Sequence, residues 1–153
     1  MGGDLVRTGA EVALFRGRLV VTTLSRAFTG WLPDGTVAVP DGAGDAELGA
    51  AVVAACSRSG EGMVPAAPGE VRPQDAEILR VVGAPSQAEF QRRASLVGVN
   101  RCDSRYTLIP MRRKRGGSFV SIDQAEEVAD PDDAALGAAV RAAMERSMAA
   151  DAK

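Results

Sequence analysis

Leu48, Val52, Ala55 and Cys56 fall at i, i+4, i+7 and i+8, the spacing of a helix with one apolar face. Leu136, Val140, Ala143 and Met144 repeat that stripe near the other end of the chain. LGAAVVAACSRS at 48–59 and LGAAVRAAMERS at 136–147 agree at nine of twelve positions. Both stretches predict helices. Asp45 is placed to cap the first and Gly60 to stop it, since glycine adopts the left-handed conformation without steric cost. For the second, Asp130 reads as the cap, Pro131 as the first helical residue and Asp133 as a first-turn acid that suits the helix dipole.

Upstream of each helix the pattern changes to short apolar runs. AEVALFRGRLVVTTLSR, from Ala10, predicts two strands around Gly17, and Pro33-Asp34-Gly35 reads as a turn into TVAVP. LVGVNRCDSRYTLIPMRR, from Leu96, predicts two strands around Asp103-Ser104, and Gly116-Gly117 leads into SFVSI. Each half is then strand, strand, turn, short strand, helix. One such unit cannot cover the apolar face of its own sheet, whereas two can pair and share it. The expected fold is α+β: a mainly antiparallel sheet with helices packed on it, from two ββ(β)α half-repeats at about 10–59 and 95–148. Residues 60–94 form the connector. Its first part, SGEGMVPAAPGEVRP, reads as a surface loop. PQDAEILRVVG then predicts a short helix ending at Gly83. Ser86 and Glu89 form a capping-box pattern that opens another helix, through about Ser95 and anchored by Phe90.

Composition narrows the picture without supplying chemistry. A chain of 153 residues, 46% apolar and 25% charged, fits a single domain spanning 1–153. At 4% aromatic its core has to be mostly Val, Leu, Ala and Ile. A net charge of −2 marks neither a general nucleic-acid binder nor a polyanion. No apolar run is long enough to span a bilayer and the first residues lack a signal-peptide core, so the cytoplasm is the simplest address. The opening Met-Gly is not a myristoylation motif, because Val6 stands where Ser or Thr is needed. Cys56 lies on the apolar stripe and reads as a small core residue, while Cys102, in RCDSR, reads as an exposed thiol in a turn.

The absence of histidine removes a Ser-His-Asp or Cys-His nucleophile pair and the usual zinc sites. GAGDAELG, Gly42 to Gly49, stands where a dinucleotide loop would, but its spacing is wrong and Asp45 would repel a pyrophosphate. No catalytic, cofactor-binding or metal-binding residue is assigned. Two charged features remain. RRKR, Arg112 to Arg115, is a basic cluster with only Tyr106 and Phe119 nearby to stack bases, so it reads first as a solvated hairpin tip. DQAEEVADPDD, Asp123 to Asp133, carries six acids in eleven residues. Helix-start electrostatics accounts for Asp130 and Asp133 but not for Asp123, Glu126, Glu127 and Asp132, which form either a solubilising edge or a docking surface for a basic partner.

The order of features resembles the CdiI family of immunity proteins from contact-dependent growth inhibition systems. The resemblance rests on GWLPDGTVAVP followed by DAELGAAVVAACSRS, then ILRVVGAPSQAEFQRRASLVGV, then YTLIPMRRKRGGSFV running to LGAAVRAAMERS, and it covers about residues 10 to 148. Gln87 departs from the pattern, where an aromatic is expected after the serine. The resemblance implies a cytoplasmic, non-enzymatic protein that binds the C-terminal toxin domain of one CdiA-type effector, commonly a nuclease, in a 1:1 complex and blocks its active site or substrate path. A nuclease groove attracts negative charge, so Asp123, Glu126, Glu127 and Asp132 become the candidate toxin-binding surface. Trp31 is a candidate aromatic anchor, or equally a core or turn-packing residue. Two other readings stay open: an oligomeric adaptor whose helices pair with copies of themselves, and an RNA-binding module using Arg112–Arg115.

Overall fold

The computed structural model describes residues 7–28, 30–37, 39–65, 67–70, 72–114, 118–122 and 125–151. Within them, β1 (Arg7–Phe15) lies at the middle of an antiparallel sheet. It forms a hairpin with β2 (Arg18–Ala27) through Arg16-Gly17, and β2 carries the edge strand β3 (Gly30–Val37). On its other side β1 pairs with β4 (Ser95–Cys102), which turns at Asp103-Ser104 into β5 (Arg105–Arg113). The far edge of β5 is shared by β6 (Phe119–Ser121) and β7 (Glu126–Ala129). The α+β expectation, an antiparallel sheet with helices packed on it, holds.

Two helices, α1 (Asp45–Ser57) and α4 (Asp133–Asp151), pack side by side on one face of the sheet. Beneath them Ala10, Val12, Val21, Val97, Val99 and Leu108 meet Leu48, Val52, Ala55, Cys56, Leu136, Val140, Ala143 and Met144 in one buried cluster. The stripes read from periodicity are therefore the buried faces, Cys56 included. On the opposite face α2 (Pro73–Val82) and α3 (Gln87–Arg93) cover one end of the sheet. There Ile78, Val82 and Phe90 close over Ala13, Phe15, Val20 and Leu96. Successive residues of β1 thus feed two cores, as side chains alternating across a strand must.

The doubled LGAAV has a geometric cause. A Cβ added at Gly49 would stand 1.8 Å from the backbone oxygen of Asp133, and one added at Gly137 would stand 1.8 Å from that of Asp45. Each helix therefore lays a glycine against the first turn of the other, and the two backbones touch. The β1–β4 register has the same reciprocity: Arg7 faces Cys102, and Leu14 faces Ser95.

Several local expectations change. Pro33-Asp34-Gly35 is not a turn; it lies inside β3, beside a register shift between Thr22 and Leu24. An edge strand tolerates the missing N–H of proline, and Gly35 at φ +99° absorbs the irregularity. The cap of α4 is Asp132 and not Asp130: Asp132 Oδ1 accepts from the Ala135 N–H at 2.7 Å. Asp130 precedes a proline, which disfavours the helical region, and it adopts φ +47° with its N–H on the Ser104 oxygen. At α1, Gly44 holds the cap position and Asp45 is a first-turn acid paired with Arg141 of α4 at 2.8 Å. That helix ends at Arg58, and Gly60 is stitched to β2 through Arg26 and Ser25. Gly83 does end α2 in the left-handed conformation, and Ser86 Oγ accepts from the Glu89 N–H at 3.1 Å at the start of α3, which stops at Arg93. Cys102 closes β4, half-buried, and is not in the turn. Strand β7, inside the acidic stretch, was not expected.

Candidate functional site

The sheet face opposite α1 and α4 is covered by α2 and α3 at one end only. Strand pairing gives its open end row by row: Gly9 lies between Leu24 and Asn100, Asn100 faces Thr107, and Thr107 faces Glu127. Side chains of this row share one face, because paired residues in a sheet point the same way. Glycine at position 9 leaves a gap, and Trp31 of β3 fills it: a Cβ on Gly9 would lie 3.4 Å from the indole. The Arg26 guanidinium sits 5.4 Å over the ring, at cation–π distance. Half-buried, Trp31 packs on the sheet while keeping an exposed edge, which answers whether it is core or surface: it is both.

Toward the other margin the face hollows. A depression of about 580 Å³ is bordered by Arg7, Asn100, Arg105, Thr107, Glu127 and the Asp103 turn. Glu127 pairs with Arg105 at 3.1 Å, and both are exposed. From β1, where the indole rests, to β7 is three strand spacings, about 14 Å. Trp31 and Glu127 therefore lie on one surface within the span of a single protein contact.

Of the other candidate acids, Glu126 and Asp132 do not join that surface. Glu126, one residue before Glu127, points to the helix side and pairs with Arg146 of α4 at 3.3 Å. Asp132 spends one oxygen on the α4 cap. Asp123 lies outside the described residues. The basic cluster separates likewise: Arg113 turns inward to the Ala94 oxygen at 2.6 Å and to Asp151, Arg112 is exposed on β5, and Arg115 lies outside the described residues.

What this surface offers is shape and charge. Its arginines at 7, 26 and 105 were not singled out from sequence, although each stands at a polar position in a strand's alternation. Among the described residues no group of His, Cys, Asp or Glu could hold a metal ion. Burial pushes the Cys56 thiol up to about 11, so it stays protonated at neutral pH and packs as a hydrophobe. Glu77 is held below the ordinary carboxylate range by the Thr36 hydroxyl and N–H, an arrangement that ties α2 to β3. Among the described residues no helix is long and apolar enough to cross a membrane.

Solved structures carry the same chain path. A chain of a CdiA-CT/CdiI toxin and immunity complex from Yersinia pseudotuberculosis superposes with a TM-score of 0.71, over 94% of this protein and 99% of that chain. The likeness is one of fold. Sequence identity is 15%. A Neisseria meningitidis protein of unknown function matches with a TM-score of 0.74 and 16% identity, over 95% of this protein and 98% of that one. No family model and no curated protein matches the sequence. In both cases the likeness extends over nearly the whole of each chain.

Proposed function

We propose that this is an immunity protein that binds and neutralises the C-terminal toxin domain, a nuclease, of a cognate CdiA-type effector. The observation that carries the reading is the end-to-end likeness of fold to a chain of a toxin and immunity complex, together with the CdiI-like order of sequence features. An open, half-apolar, charged sheet face is what a non-enzymatic inhibitor needs. Trp31 supplies rigid contact area, and Arg7, Arg105 and Glu127 supply charge that fixes register. Glu127 meets basic groups lining the toxin's substrate path, and Asp123, Glu126 and Asp132 add to the negative charge of this segment, which steers such a partner in. The protein acts as one domain, in the cytoplasm, in a 1:1 complex burying on the order of 1,600 Å² in total.

Co-expression tests this. Cells producing the toxin domain encoded next to this protein should survive only when the protein is present. In the purified pair, Trp31→Ala should weaken binding at least ten-fold, while Glu126→Lys with Glu127→Lys should slow association more than it lowers stability. Unchanged survival with the cognate toxin rejects the function. Unchanged affinity and on-rate in the variants reject the surface.

A further inference from the structure

The packing of α2 and α3 leaves a cleft of about 610 Å³ against the sheet. Its walls are Ile78 and Leu79 of α2, Phe90 of α3 and Pro33 of β3, and Glu11 of β1 stands at its base. Glu70 and Asp75 also border it, so among the described residues every ionisable group lining it is an acid. Glu11 occupies the middle of the central strand, between the buried Ala10 and Val12 and opposite Thr22 and Gly98. Gly98 has no side chain to cover it. Among the described residues its carboxylate makes no hydrogen bond and no ion pair, and burial pushes its acid up to about 7. A charge held in this way is stabilised by an opposite charge brought to it.

We propose that this cleft receives a basic side chain of a partner protein, with the aliphatic stem along Ile78, Leu79 and Phe90 and the cationic head on Glu11. Lysine and arginine suit such a site because each carries an apolar stem that buries readily behind a charged head. Glu70 and Asp75 add a negative field at the border that draws the cation in. The cleft lies on the same sheet face as Trp31, next to the open surface, so one partner can reach both. That the partner is the toxin rests on the function proposed above; that the cleft binds a cation does not.

The probes are N-acetyl-lysine-N-methylamide and its arginine counterpart, titrated into the ¹⁵N-labelled protein at pH 8 and followed by NMR. The uncharged norleucine analogue, which has the same stem, is the control. Saturable shifts should centre on Glu11, Leu79 and Phe90, and the apparent affinity should fall at least ten-fold for the norleucine analogue and in Glu11→Gln. That variant removes a poorly placed charge and should remain folded. No saturable shift at these residues, or equal binding by the norleucine analogue or by Glu11→Gln, overturns the cation site. With the cognate toxin, Glu11→Gln should lower affinity ten-fold or more. Unchanged toxin affinity alongside confirmed amine binding overturns the choice of partner alone.

Discussion

Glu11 shows at the scale of one residue how position overrides type. In AEVALF it looks like the polar member of a half-exposed strand, and by alternation it is. Yet α2 and α3 roof that end of the face and leave the residue only partly exposed, and burial raises its pKa from 4.5 to about 7. The folded state then binds the proton more tightly than the unfolded chain. Stability from this group is present below about pH 4.5 and is lost as pH rises through 7, by up to about 3 kcal/mol. Urea unfolding between pH 5 and 8 should show that decline. Glu11→Gln should flatten it and be the more stable protein at pH 8. A variant with the parent's pH slope, or with lower stability at pH 8, contradicts the burial argument. Asp130 and Asp132 teach the same lesson: two aspartates flank Pro131, and the proline decides which one caps.

Among elements, the contact between α1 and α4 is decided at two glycines. On an exposed helix, Gly→Ala stabilises by about 1 kcal/mol. At Gly49 and Gly137 the added methyl would meet a carbonyl of the other helix, so the helices have to separate. Gly49→Ala and Gly137→Ala should each cost about 2 kcal/mol or more, in similar amounts, because the two contacts mirror each other. The double variant should cost less than the sum, since the first methyl already parts the helices. Denaturant midpoints measure all three, and a stabilising single substitution would show that the backbones are not in contact. Periodicity alone located both helices and the β1–β2 and β4–β5 hairpins. It missed β7, because EEVA is short and half acidic and becomes a strand only by pairing with β5. It also misread Pro33–Gly35, since a turn tripeptide and a bulged edge strand use the same residues.

Taken whole, the molecule is two half-repeats whose strands β1 and β4 pair at the centre and whose helices lean on each other. Neither half owns its core: Val12 of the first lies between Val21 and Val97, one from each half. Thermal or urea unfolding followed by circular dichroism and by Trp31 fluorescence should give one coincident transition. Two separated transitions would mean that the halves fold independently. The same pairing assembles the candidate surface, since Trp31 and Glu127 come from opposite halves and meet across a continuous sheet.

The order of hydrophobic and polar residues was enough to place α1, α4 and the β1–β2 and β4–β5 hairpins, to show that the chain uses one unit twice, and to mark which faces of α1 and α4 are buried. Those properties depend on neighbours a few positions away. Which side of the sheet remains open, that Glu127 joins Trp31 on it while Glu126 faces the helices, and that Glu11 lies beneath a roof were settled only in three dimensions. A one-residue step along a strand reverses the direction of a side chain, and only the pairing of distant strands tells which direction meets helix and which meets solvent.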